Sequence, residues 1–261
     1  MKYILFTSKQ SASNNIAKFL VEAGFSESGQ NTWRKDDFLL VDAQTASVLD
    51  IVPPADAELA LVLSPHRSET KKPCLTVHTS GNWCPKAEMG GEPSKLSVSN
   101  PSIMRGLLIN MNAINSSTGL GFEVCYESDH HGPTLDIPYT FVEVGSSEEQ
   151  WNNLKACRIV ADAVLDSIKK EEKSKVFFGI GFSHYMPSIT KYVLNGADAA
   201  GHMLPSYAFE CLDEKMFLQG IERNKDGKAN YVLLERKAFN AAQRKAVEEL
   251  CLKHNIELVK I

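Results

Sequence analysis

Five of the seven histidines stand at the ends of segments that read as strands, just beyond them, or inside a glycine-flanked turn. They are His78 in His78-Thr79-Ser80-Gly81-Asn82, His130 and His131 in Glu127-Ser128-Asp129-His130-His131-Gly132-Pro133, His184 in Gly179-Ile180-Gly181-Phe182-Ser183-His184, and His202 between Gly201 and Met203. Imidazole is the commonest metal ligand and titrates nearest neutrality, so such a group can hold Zn²⁺ or work as acid and base. The stretch 122–127 alternates, with Glu123 and Glu127 on one face and Phe122, Val124 and Tyr126 on the other. An extended continuation adds Asp129 and His131 to the carboxylate face and turns His130 away. The adjacent pair therefore reaches one ion only across a turn, which Gly132-Pro133 supplies. The competing picture is an edge strand with a solvated polar face and isolated histidines satisfied at the edge of a core. Ligands in open α/β sheets collect beyond the carboxyl ends of strands, and the shared placement of these histidines favours a site.

Arg67, Lys71 and Lys72, beside Ser64-Pro65-His66, could meet phosphate, and are equally compatible with a solvated loop. Gly179 and Gly181 do not have G-x-G-x-x-G spacing; they serve close packing at a strand end or let a substrate approach the backbone. No G-x-S-x-G, H-E-x-x-H or Walker pattern is present.

The elements that must position these side chains alternate between strand-like and helix-like along the chain, the pattern of an α/β fold. Strands are predicted over 3–7, 38–41, 59–63, 75–78, 122–127, 139–144, 176–182 and 256–261. Helices are predicted over 14–23, stopped by Gly24, over 101–115 with Pro101 in the first turn, and over 239–254. Another opens at Ser147, whose partner three residues on is Gln150, and carries Trp151, Leu154, Cys157, Ala161, Val164, Leu165 and Ile168 on one side. Residues 78–100 hold three glycines and two prolines and read as one long loop, a kind that is usually functional. Pro53-Pro54 is the candidate linker. It would set a small N-terminal lobe, 1–54, before a core, 55–261, unless it is only a loop within a single α/β domain.

With 261 residues, 43% hydrophobic and 23% charged, the chain is an ordinary core-forming globular protein, not disordered, collagenous or coiled-coil. Its 28 Lys+Arg against 32 Asp+Glu leave −4, so no chain-wide basic surface is offered to nucleic acid or an anionic membrane. Cys74, Cys84, Cys125, Cys157, Cys211 and Cys251 include no C-x-x-C pair, which suits reduced thiols better than a disulfide framework or a four-thiolate zinc site. The apolar run 3–6 is too brief for a signal peptide, and nothing approaches the ~18 apolar residues of a membrane span. A cytoplasmic protein is expected.

Five motifs then occur in one order: Ser64-Pro65-His66-Arg67-Ser68; His78-Thr79-Ser80-Gly81-Asn82; Glu127-Ser128-Asp129-His130-His131-Gly132-Pro133; Phe141-Val142-Glu143-Val144-Gly145-Ser146-Ser147-Glu148-Glu149 with Trp151; and Gly181-Phe182-Ser183-His184-Tyr185-Met186-Pro187. Together they resemble the D-aminoacyl-tRNA deacylases of the archaeal and plant type, from about Leu59 to the C-terminus. Pro65, Asp129 and Phe182-Ser183 depart from the pattern, where Arg, Thr and small glycines are expected, and they touch loop shape rather than the histidines. The resemblance implies a three-layer α/β fold with a mixed sheet between helices, like peptidyl-tRNA hydrolases and purine nucleoside phosphorylases. It also implies zinc, with two ions per chain, and hydrolysis of the ester joining a D-amino acid to the terminal ribose of tRNA.

Within that expectation His78, His131 and His184 are the zinc ligands, Glu127 is general base or ligand, His130 is catalytic, and His130 and His202 are the reserve ligands. Arg67, Lys71, Lys72 and His202 are the candidates for contact with tRNA, limited to its acceptor end. A metal-free variant has Glu127 or His130 activating water while backbone N–H groups near Gly132 hold the oxyanion. Two rival functions use the same residues: a zinc-dependent aminoacylase or carboxypeptidase-like hydrolase acting on free acylated amino acids, and a non-catalytic RNA-binding module. The net acidity and the lack of aromatic residues interleaved with basic ones speak against the module. The expected assembly is a monomer or weak dimer with no membrane contact.

Overall fold

The computed structural model describes residues 1–169, 173–181 and 183–261. In chain order the elements begin with β1 (Lys2–Phe6), α1 (Ser11–Glu22), β2 (Ser26–Gly29), β3 (Thr32–Lys35), β4 (Phe38–Asp42), β5 (Leu59–Arg67), β6 (Cys74–His78), β7 (Gly81–Asn82) and β8 (Lys95–Leu96). They continue with α2 (Pro101–Thr118), β9 (Glu123–Tyr126), β10 (Tyr139–Ser146), α3 (Glu148–Trp151), α4 (Leu154–Lys169) and β11 (Val176–Gly181). The last are α5 (Pro187–Leu194), β12 (Ala199–Pro205), α6 (Glu214–Glu222), β13 (Tyr231–Leu234), α7 (Ala241–Lys253) and β14 (Glu257–Lys260). The chain forms two compact units: Met1–Val77 with Gly106–Cys125 and Ile137–Glu171, and His78–Arg105 with Tyr126–Asp136 and Glu172–Ile261.

The first unit is built on an eight-stranded mixed sheet in the order β2-β3-β4-β1-β5-β10-β6-β9. β1 lies parallel between β4 and β5, Lys2 facing Phe38 on one side and Leu59 on the other. That pairing removes the expected boundary at Pro53-Pro54, because residues 1–54 supply strands to the same sheet as β5. The meander β2-β3-β4 escapes the sequence pattern because β2 is exposed throughout and β3 alternates only weakly. α1, α3 and α4 pack on the sheet through β5 and β10. The single helix expected from Ser147 is broken after Trp151: the Asn153 side chain caps a new start by accepting from the amides of Lys155 and Ala156.

The second unit carries a wholly parallel sheet, β12-β11-β13-β14, an addition to the mixed sheet that was expected. α5, α6 and α7 make its crossovers, and the lengthy connections are what parallel strands require. Its core joins Phe178, Ile180, Leu204, Phe217, Val232 and Leu234, with the Trp83 ring stacked 5.4 Å from that of Phe178. Gly179 and Gly181 serve packing: a Cβ there would come within 2.7 Å of Ile189 and 2.6 Å of Met186. The strand expected over 176–182 reaches Gly181, and Phe182 lies outside the described residues.

Cys84 and Cys211, 127 residues apart, form a disulfide, which corrects the expectation of six reduced thiols. The long loop after β6 is held down by the buried Trp83, and so Cys84 reaches the short 3-10 helix Ser206–Cys211 after β12. The other four cysteines are buried thiols. No helix among the described residues is long and apolar enough to cross a membrane.

Candidate active site

Strand ends deliver the candidate residues of the second unit. β6 finishes on His78, Glu127 follows directly on β9, His184 lies beyond β11, and β12 runs alongside with His202. Backbone hydrogen bonds then stitch these segments together. Ser80 bridges His130, Glu127 bridges Tyr185, the Ser128 amide donates to the His184 carbonyl at 2.8 Å, and the Asp129 amide donates to the Met203 carbonyl at 3.0 Å. β9 has ended by Glu127, so the carboxylate is not one more residue of a solvated strand face. It is fully buried, whereas Glu123 is half-buried and paired with Lys72.

Four imidazoles cluster here, and two of them, His130 and His184, face that carboxylate. Ring centroids lie 4.3 Å apart for His78 and His130, 5.0 Å for His78 and His131, 4.3 Å for His130 and His131, and 4.5 Å for His130 and His184. The turn needed to aim both adjacent histidines inward is made by His131 itself, whose φ of +47° is left-handed, just before Gly132-Pro133. Glu127 accepts from His184 Nε2 at 2.7 Å and has His130 Nε2 3.6 Å away.

The remaining nitrogens fix the tautomers. Nδ1 of His78, His130 and His131 lies 2.9, 2.8 and 2.6 Å from the carbonyls of Thr79, Ser128 and Gly132. A carbonyl only accepts, so each Nδ1 carries its proton, and Nε2 is the nitrogen that holds the lone pair of the neutral ring. Burial, with His78 and His131 alongside, holds the pKa of His130 well below the usual histidine value despite the opposing pull of Glu127, so its imidazole is neutral at pH 7.

A second buried set supports the histidine loop. Asp129 lies against His202 Nδ1 at 2.9 Å and accepts from the Met203 amide, while His202 Nε2 donates to the Arg223 carbonyl at 2.8 Å. The Arg223 guanidinium in turn donates to the Leu135 carbonyl at 3.1 Å and to Asp136 at 2.5 Å. The pair and the arginine thereby grip residues 129–136 at both ends. Burial raises the Asp129 pKa against the lowering effect of His202.

These contacts redistribute the roles read from the sequence. His78, His130 and His131 form one group with donor atoms within 4.8 Å of one another, and Glu127, His130 and His184 form another. His130, a reserve ligand in the sequence reading, is common to both, whereas His78, His131 and His184 do not form one group. His202 is fully buried in mid-strand with both ring nitrogens engaged, so it positions Asp129 and offers nothing to tRNA. The Gly132 amide already donates to the Met89 carbonyl at 3.1 Å, which removes it as an oxyanion donor. Arg67, Lys71 and Lys72 are exposed in the first unit; Arg67 lies 5.1 Å over the Trp151 ring, and Lys72 is paired with Glu123.

Sequence reasoning missed Tyr207. It lines a cavity of about 140 Å³ together with His130, His131, Trp83 and Lys86, and no motif marks it.

The metal fit can be judged on the donors present. Three imidazoles with Nδ1 tied to carbonyls, beside a buried carboxylate, form a donor set suited to Zn²⁺ and have the outer hydrogen bonds that ligating histidines require.

Fold and cluster thus define an α/β protein with a buried imidazole–carboxylate centre of the kind that activates water. Residues 54–259 match the D-aminoacyl-tRNA deacylase family. The chain is 34% identical over 275 residues to a D-aminoacyl-tRNA deacylase of Pyrococcus furiosus, covering 100% of both chains. It is 39% identical over 223 residues to one of Methanococcus vannielii, covering 80% of this chain and 81% of the relative. A crystal structure of a conserved protein of unknown function superposes with a TM-score of 0.88 at 28% identity, over 100% of this chain and 95% of that one. The chain belongs to the D-aminoacyl-tRNA deacylase family.

Proposed function

We propose that this chain hydrolyses the ester between a D-amino acid and the terminal ribose of tRNA, releasing both, with zinc as its metal. The observation that carries the reading is the fully buried Glu127 carboxylate facing His130 and His184 in a cluster of four imidazoles, in a chain that belongs to this family. An aminoacyl ester is activated, so hydrolysis needs a positioned water, a proton acceptor and stabilisation of the carbonyl oxygen. Glu127 orients the water and takes its proton, and the hydrogen bond from His184 holds the carboxylate in place for this. Glu127 then returns that proton to the departing ribose oxygen, while His130, neutral at pH 7 and 3.6 Å away, keeps its Nε2 lone pair for the ion. Asp129 and His202 hold the loop that carries His130 and His131. His78, His130 and His131 would hold one zinc ion, with Glu127 and His184 beside it. Bound zinc supplies a Lewis acid for the carbonyl and a water of lowered pKa.

The wider likeness to peptidyl-tRNA hydrolases belongs to the same reading, as does acceptor-end binding through Arg67 and Lys71. Rates of D-tyrosyl-tRNA and L-tyrosyl-tRNA hydrolysis by the purified protein, with and without a chelator, test it. The D-ester is expected to be cleaved, the L-ester spared, and the activity lost to the chelator. Equal cleavage of both esters, or of neither, overturns the function; D-specific activity indifferent to the chelator overturns the zinc alone.

A further inference from the structure

The mouth of the histidine cavity carries an aromatic ring that neither the core nor the water-activating group uses. Tyr207, in the 3-10 helix after β12, is 65% exposed and is the only exposed aromatic side chain among the described residues. Its hydroxyl lies 3.4 Å from Ser128 Oγ, and the Ser128 carbonyl is the acceptor that orients His130. The ring lines the same cavity as His130 and His131. Lys86 lies on that rim too, exposed and with no carboxylate in ion-pair range among the described residues.

The chemistry of the substrate says what such a ring is for. In an aminoacyl-tRNA the reacting ester hangs on the terminal ribose, so the terminal base sits one sugar away from the carbon under attack. A cavity of about 140 Å³ is too small for a whole aminoacyl-adenosine, so an ester brought to His130 leaves the base outside at its mouth. An exposed ring at that mouth presents a π-face to a base, and stacking of this sort tolerates different tRNA bodies because all end in the same adenosine. A cation on the same rim suits the phosphate that follows.

We propose that Tyr207 is the platform on which the 3′-terminal adenine of tRNA stacks, with Lys86 at the adjoining phosphate. The inference rests on the deacylase reading of the neighbouring cluster, and it concerns recognition rather than chemistry. Tyr207 touches the nucleoside and takes no part in proton transfer.

The test compares wild type, Tyr207→Ala and Tyr207→Phe on D-tyrosyl-tRNA and on D-tyrosine methyl ester, which has no adenosine. Tyr207→Ala is expected to raise KM for the tRNA about 5- to 150-fold, the range for losing one stacked base, with kcat changed far less. The ratio of kcat/KM on tRNA to that on the methyl ester should fall by the same factor. Tyr207→Phe should restore the tRNA KM, since a phenyl ring stacks as a phenol does. An unchanged ratio in Tyr207→Ala overturns the platform, and so does a loss in Tyr207→Phe equal to that in Tyr207→Ala, which would assign the effect to the hydroxyl and Ser128. Absence of tRNA hydrolysis by the wild type would overturn the deacylase reading instead. In that event fluorescence titration with the trinucleotide cytidyl-cytidyl-adenosine decides: weaker binding to Tyr207→Ala supports the platform, and equal binding refutes it.

Discussion

Replacing Asp129 by Ala takes the acceptor away from two buried donors at once. The carboxylate, 2% exposed, lies 2.9 Å from His202 Nδ1 and 3.2 Å from the Met203 amide. Each donor left unsatisfied in the interior costs about 1–3 kcal/mol, and breaking a buried pair by removing one partner costs about 3–5 kcal/mol. The two routes overlap at about 3–5 kcal/mol, which for a chain of this size is a fall in Tm of roughly 6–20 °C. Asp129→Asn behaves differently. Its Oδ1 keeps the Met203 bond, and its amide donates to His202 Nδ1 while Nε2 still serves the Arg223 carbonyl. That variant should lose about 1 kcal/mol or less, the net worth of one ordinary hydrogen bond. Calorimetry of wild type, Asp129→Ala and Asp129→Asn at pH 7 is the assay. Equal Tm values for the two variants, or an alanine variant as stable as wild type, would refute the view that this pair holds the histidine loop.

Two further outcomes follow from the same structure. The folded-state pKa of His130 lies below that of the unfolded chain, so below about pH 6.5 the unfolded state binds a proton that the folded state refuses. The stability of the metal-free protein attributable to His130 is therefore complete above that pH and lost as pH falls beneath it. The difference in Tm between wild type and His130→Gln should shift in the variant's favour on going from pH 7 to 5, and a difference constant with pH would contradict the assignment. The Cys84–Cys211 disulfide closes 127 residues of chain, and its loss in Cys84→Ser should destabilise by about 3–5 kcal/mol, seen as a lower denaturant midpoint that added reductant leaves unchanged in the variant.

How much of this was legible follows from which signals are local. His78, Glu127 and His184 could be read from the sequence because each sits at the end of an apolar run, and strand ends are where α/β folds gather their chemistry. His202 was misread because Gly201 looks like a turn residue. In the structure that glycine lies inside β12, where a Cβ would come within 2.1 Å of Asn224, so it answers to close approach rather than chain reversal. The break after Trp151 escaped because its cause is a side chain, Asn153, that reads as an ordinary polar helix position. The disulfide could not be read at all, since its partners meet only through tertiary folding across 127 residues. The apparent N-terminal lobe dissolved for a related reason: parallel pairing of β1 with β5 has no signature in the residues between them.

The central claim is that the ester is hydrolysed at the buried carboxylate–imidazole cluster, and single-turnover deacylation of D-tyrosyl-tRNA by wild type and Glu127→Gln tests it most directly. Glutamine matches the shape of the side chain and keeps an oxygen towards His184 Nε2, but it cannot take a proton from water. The account predicts a rate constant lower by about 10²–10⁴, the usual worth of a general base, in a variant that remains folded. A folded Glu127→Gln protein that deacylates at the wild-type rate would contradict it.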